Sequence, residues 1–310
     1  MATVTRDRAQ LILVGGLVVA VGLVGIAIVL NSGIYTHNLA SRVDPTASDA
    51  VGHTAVVRDS VGGLIEWGVR NHPGNKSAQV RNVSMGVSNV SDLHARGSAG
   101  HGVLTNATVA TTFNGTTVNQ TGDRDFTDNA TNADWEVADD AHGIRHFRME
   151  VEGSSLNDSS VPLYPGVFNV TFDPNSGSDL TVSLYEDGGT TALMVTDEGT
   201  GRSFGPCTDT DTRTEIDLTG ATVAGEHCAA LERLGDLSRP FDVEFDDAGN
   251  VSGSYSLVVN TTSVGNVASA GDSGPSELDT LYSVEVDLQF QSQRVDYRTT
   301  ITVAPGEPDG

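Results

Sequence analysis

The chain has 310 residues, of which 38% are hydrophobic, enough to bury a core in one large or two ordinary domains. Its 41 acidic residues against 17 basic ones give a net charge of −24, and Lys76 is the sole lysine. A lysine-poor acidic surface keeps a protein hydrated where salt screens charge over only about 3 Å at molar strength, which points to salt adaptation. The same balance excludes DNA and RNA partners, because a nucleic-acid face needs clustered Lys and Arg to displace phosphate counterions.

The first element is the run Leu11 to Leu30, twenty residues without a charge. At about 1.5 Å per residue it matches the roughly 30 Å hydrocarbon core of a bilayer. A removable signal peptide has an apolar core of about 7–15 residues and a small-residue cleavage site, so a retained span is the better reading. Ile34, Tyr35, Leu39 and Val43 continue a sparse apolar pattern, making 11–43 the transmembrane helix and its extension. Arg6 and Arg8 precede the span within a short basic leader, 1–10, which places the N-terminus in the cytoplasm and everything after the span outside the cell.

Asp44-Pro45 ends that helix. From there to residue 98 the spacing predicts two amphipathic helices, read as a stalk or a packing layer. The first runs from about Asp49 to Arg70 behind a Ser48 or Asp49 cap, and the second from a Ser77 cap to about Arg96 with Val80, Val83, Val87 and Val90 on one face.

Residues 99–304 read as a β-rich extracellular domain. "VLTNATVATTF" alternates as a strand, whereas "NGTTVNQTGDRDFTDNATNAD" reads as a long exposed polar loop. Hairpins are expected at Asp187-Gly188-Gly189, at Asp247-Ala248-Gly249-Asn250 and at Gln291-Ser292-Gln293, with one short helix near Glu226 to Leu237. The tail, 305–310, should be flexible. The fold class is therefore α+β: a transmembrane helix and helical stalk, then an antiparallel sheet or two-sheet sandwich.

Eleven of the seventeen asparagines begin Asn-x-Ser/Thr: Asn75, Asn82, Asn89, Asn106, Asn114, Asn119, Asn129, Asn157, Asn169, Asn250 and Asn260. Chance would give roughly three or four such acceptor sites, and all lie beyond the span, so an N-glycosylated exterior domain is expected, although threonine-rich strands also generate the pattern by composition. Cys207 and Cys228, the two cysteines, suit one disulfide in an oxidising exterior.

Catalytic and metal patterns fail one by one. His142 and His146 lie four apart, but "IRHFRMEVE" alternates as a strand, on which such residues sit about 13 Å apart. Asp209 and Asp211 open like a calcium loop, yet Arg213 stands at its fifth position and the motif's glycine and distal glutamate are missing. No nucleophile elbow, zinc-protease helix, phosphate loop or dinucleotide fingerprint occurs. No enzyme, cofactor or metal is expected.

"RDRAQLILVGG" followed by an apolar helix resembles the class III, type IV prepilin-like signal of haloarchaeal pilin-like surface proteins. The resemblance implies cleavage between Ala9 and Gln10, retention of Leu11 to Leu30, and packing of that helix among other pilin-like subunits. Val14 stands where bacterial pilins carry a glutamate, and the Ser-Pro-Val run of salt-adapted adhesion pilins is absent. Three readings stand: a minor pilin-like subunit of a salt-adapted archaeon, a non-polymerising single-pass adhesion or receptor module, and a membrane-tethered surface hydrolase. The first two bring the same partner, membrane lipid, and differ in whether other subunits join it.

Overall fold

The computed structural model describes residues 46–158, 166–269 and 274–308. The apolar run and the Ala9–Gln10 junction lie outside the described residues. Among the described residues no helix is long and apolar enough to cross a membrane.

Two helices open the described chain, α1 (Ala47–Asn71) and α2 (Lys76–Ala99). Both begin earlier than their spacing suggests. Thr46 caps α1, its N–H donating to Asp49 Oδ2 at 2.6 Å, and the Asn75 side chain accepts from Ala78 N at 3.1 Å to cap α2.

Fifteen strands follow: β1 (Leu104–Asp125), β2 (Trp135–Ala141), β3 (Ile144–Glu152), β4 (Phe168–Pro174), β5 (Leu180–Glu186), β6 (Thr191–Asp197), β7 (Arg202–Asp209), β8 (Arg213–Asp217), β9 (Thr222–Val223), β10 (Glu226–His227), β11 (Phe241–Asp246), β12 (Ser252–Val259), β13 (Ala268–Ser269), β14 (Ser276–Gln291) and β15 (Asp296–Val303). They form two sheets. The larger runs β10-β9-β8-β3-β12-β1-β14-β13 with β15 also on β14, and the smaller runs β2-β11-β4-β5-β6-β7. Among the described residues every pairing of these strands is antiparallel except β13 with β14.

The sheets enclose an aromatic-rich core. Alternation on β11 turns Phe241, Val243 and Phe245 inward and Asp242, Glu244 and Asp246 outward; β3 likewise buries Phe147, Met149 and Val151. Phe245 is the hub, with ring centroids 5.3 Å from both Phe168 and Tyr255 and 5.6 Å from Trp135.

A second core makes the two helices a packing layer rather than a stalk. Val57, Val61 and Ile65 of α1 and Val83 and Val87 of α2 are buried against Ala107, Leu281, Val284, Val286, Leu288, Ile301 and Val303 of β1, β14 and β15. An apolar helical stripe must be covered, and this part of the larger sheet offers matching apolar side chains. The helices are thus a packed layer of the sandwich. They approach closely where a Cβ on Gly86 would lie 2.7 Å from Leu64 Cδ1.

The expected polar loop is also corrected. As far as Asp125 it belongs to β1, which lies between β12 and β14. Three of its polar side chains are hydrogen-bonded there: Thr116 Oγ1 donates to Thr261 O at 2.9 Å, Asn119 Oδ1 accepts from Ser276 Oγ at 2.7 Å, and Gln120 Nε2 donates to Gly253 O at 3.1 Å, while Gln120 Oε1 is left without a partner.

Two of the three hairpins hold, β5–β6 around Asp187-Gly188-Gly189 and β14–β15. Asp247-Ala248-Gly249-Asn250 does not close a hairpin, since β11 pairs within the smaller sheet and β12 within the larger. Ala248 and Val251 are buried there, so the segment crosses between sheets through the core edge. The short helix expected near Glu226 to Leu237 is instead the β9–β10 ribbon followed by a 3-10 turn, Leu231–Asp236. The first residues of the tail are anchored: Pro305 O accepts from Arg145 Nη1 at 3.4 Å and Glu307 pairs with Arg239 at 3.6 Å.

Candidate functional site

Surface chemistry is where sequence and structure meet. All eleven acceptor asparagines fall within the described residues and none is buried. Asn75, Asn89, Asn106, Asn114, Asn129 and Asn157 are exposed, and Asn82, Asn119, Asn169, Asn250 and Asn260 half-buried. They are spread over α2, both sheets and the connections between elements.

Several acceptors are also structural. Asn157 Nδ2 and Asn250 Nδ2 both donate to Gly166 O, at 2.6 and 3.0 Å, and Asn169 is held between Val167 O and Ser183 Oγ. A glycan on any of these nitrogens competes with a bond the fold uses, whereas the amides of Asn89, Asn114 and Asn129 carry no such described bond.

Asn129 belongs to a loop organised by Asp128. The buried Asp128 carboxylate accepts from Ala130 N (2.8 Å), Asn132 N (2.7 Å), Asn132 Nδ2 (2.8 Å) and Asn266 Nδ2 (2.9 Å). Burial works against the charge, but the four N–H donors outweigh it and hold the carboxyl below its usual range.

Cys207 and Cys228 are bonded, with 5.9 Å between Cα atoms. Cys207 sits on β7, at one edge of the smaller sheet, and Cys228 follows β10, at one edge of the larger, so the bridge ties the two sheets together. Beside it opens a cleft of about 940 Å³ lined by Phe204, Ala221, His227, Leu231, Arg233 and Glu307. Two guanidiniums lie over the Phe204 ring, Arg233 at 4.5 Å from its centroid and Arg202 at 5.5 Å.

The rejected metal patterns resolve into structure. His142 lies in the connection between β2 and β3, whereas His146 is on a bulge of β3 with φ 52°, its Nε2 3.8 Å from Glu66. Asp209 accepts from Asp211 N and Thr214 Oγ1 in a local turn. Among the described residues the grouping able to hold an ion is Glu136, Asp139 and Asp242, whose carboxylates all approach within 4.8 Å. Sequence reading missed it because β2 and β11 are a hundred residues apart and only their pairing brings the three together. Burial, then the charges of Asp139 and Asp242, raise the pKa of Glu136. Asp139 and Asp242 are already engaged by Ser263 Oγ and Asp140 N.

The bulge at His146 has an inward consequence. It directs Arg145, 1% exposed, beneath the tail, where Nη2 donates to Leu281 O at 3.0 Å and the guanidinium lies 5.6 Å from the Tyr282 ring. Burial lowers its pKa to about 10, although Tyr282, Glu66 and Glu307 favour the charge. Tyr282 in turn hydrogen-bonds Glu307.

Residues 5–135 match a family of unknown function, DUF7261. The matched stretch is less than half of the chain and spans the apolar run, both helices and β1. No curated protein and no solved structure matches the chain. Because β1 is paired on both sides by strands from beyond residue 135, the matched stretch is one part of a larger fold.

Proposed function

We propose that this is a membrane-anchored, exported and N-glycosylated surface protein of a salt-adapted archaeon, with a structural or binding role. The observation that carries the reading is that all eleven acceptor asparagines reach the surface of the domain that follows the apolar run. The disulfide supports the same compartment, since structural bridges persist in oxidising surroundings. In this reading Leu11 to Leu30 spans the membrane, the 1–10 leader stays in the cytoplasm, and the β-sandwich stands outside. Cleavage between Ala9 and Gln10 makes it a pilin-like subunit; without cleavage it is a single-pass adhesion or receptor module.

The lone lysine supplies a clean test. An amine-reactive, membrane-impermeant reagent applied to intact cells should modify Lys76 and leave the N-terminal amine untouched. Modification of Lys76 only after lysis would overturn the topology. Mass spectrometry of the N-terminus in the membrane fraction then separates the two forms: a start at Gln10 means processing, and a start at Met1 or Ala2 removes it while leaving the anchor.

A further inference from the structure

The exposed large hydrophobic residues are not scattered. All six among the described residues fall between positions 51 and 104, and the three most exposed are Leu93 (72%), Leu104 (65%) and Val51 (62%). The fold gathers these three at one end. α1 and α2 are antiparallel, with the His53 ring, two residues after Val51, 5.4 Å from that of His94, next to Leu93. Ala50, Val103 and Phe290 share a small core with Val295 and Tyr297, which brings the start of α1, the start of β1 and the β14–β15 turn together. Leu104 pairs with Gln291, the last residue of β14.

The charge of this end differs from that of the molecule. Residues 46–54, 90–106 and 289–298 carry Asp49, Asp92 and Asp296 against Arg96, Arg294 and Arg298, a net of zero in a chain of −24. An apolar end without net charge can approach an anionic lipid surface that the rest of the protein would be repelled by. It is also the end at which the chain enters: fifteen residues separate Thr46 from Leu30, the last residue of the apolar run. Fifteen residues reach at most about 50 Å when extended, so the anchor alone would permit either a raised or a seated domain.

We propose that the domain is seated: the end carrying Val51, Leu93 and Leu104 rests on the membrane from which the chain emerges, with these side chains in the lipid headgroup layer and Tyr297 beside them. This rests on the anchored reading above. Apolar side chains that would otherwise stay in water gain burial at the interface, and an aromatic ring with a polar tip suits the same depth. The opposite end of β1 then points away; Gly122, eighteen residues from Leu104 along the strand, lies at most about 60 Å distant.

The test uses the full chain in vesicles of phosphatidylcholine and phosphatidylglycerol. Leu93→Cys and Leu104→Cys carry an environment-sensitive fluorophore, with Gly122→Cys as the reference; the native cysteines stay paired. Gly122 suits the purpose because a side chain there meets open space. Headgroup-level spin-labelled lipid should quench most of the emission at positions 93 and 104 and little at 122. Vesicle flotation is measured on the same samples. If the protein floats but positions 93 and 104 are quenched no more than 122, the seated domain is wrong and the anchor stands. Shielding of 93 and 104 from both lipid and aqueous quenchers would mean a protein partner there and equally overturns the proposal. Failure to float overturns the anchored reading and this one with it.

Discussion

Two buried polar residues carry more of the fold than their type suggests. The bulge in β14 at Tyr282 takes the Leu281 N–H out of the ladder with β1, and Gln79 of α2 supplies its partner: Oε1 accepts from Leu281 N at 2.7 Å while Nε2 donates to His72 O at 2.8 Å. Gln79→Ala leaves a buried N–H unpaired, so chemical denaturation should show a loss of about 2 kcal/mol. Asp128 is the other. Asp128→Ala should cost about 3 kcal/mol by the same measurement, since it strands four donors around a vacated carboxylate. The sign of the pH effect follows from the lowered pKa. A depressed carboxyl stabilises fully above its unfolded value, about 3.9, and the contribution is lost as pH falls through the lower folded value. Wild-type stability should therefore drop on acidification below about pH 4, and the Asp128→Ala variant should lose less over the same range.

At the scale of elements, the disulfide closes a loop that leaves the smaller sheet on β7 and enters the larger on β8. The chain-entropy estimate for a loop of this size is about 3 kcal/mol, so Cys207→Ala with Cys228→Ala should lower the unfolding free energy by about that much. Reductant should then have no further effect on the double variant. The elements also show what was legible. Helices α1 and α2 were readable because valines at helical spacing leave little choice, as were the β5–β6 and β14–β15 hairpins with their polar turns. The central position of β1 was not, because Asn114 to Asp125 holds one large apolar residue, Val118, and is stabilised by cross-strand polar partners more than a hundred residues away. The crossing at Asp247–Asn250 looked like a hairpin for a related reason: turn chemistry fixes a change of direction, and which sheet receives the next strand depends on distant pairing. The asparagines and cysteines of the candidate surface were legible one by one, whereas the Glu136, Asp139 and Asp242 grouping and the buried Arg145 exist only through strand pairing and a bulge.

For the whole molecule, charge is the dominant property. The outward side of β11 and its neighbours carries carboxylates that disfavour one another: burial, then Asp246 and Asp173, raise Glu244, and burial followed by Asp179 raises Asp173. Groups raised in the folded state stabilise below their unfolded values and lose that contribution as pH rises through the folded ones, so at neutral pH this face opposes folding; salt screens the repulsion between its carboxylates and leaves the cost of burial. The melting temperature should rise with sodium chloride. Glu244→Gln should stabilise by about 0.5 kcal/mol in dilute buffer and by less in molar salt. Such a surface suits an exterior of high ionic strength, and the acceptor asparagines distributed over it would add uncharged, hydrated cover. The most direct test of the exported, anchored protein is glycopeptide mass spectrometry on the chain taken from the membranes of its native host. The account predicts glycans on several of the eleven asparagines, exposed Asn114 and Asn129 foremost, and a Cys207–Cys228 bridge; eleven unmodified asparagines together with two free thiols would contradict it.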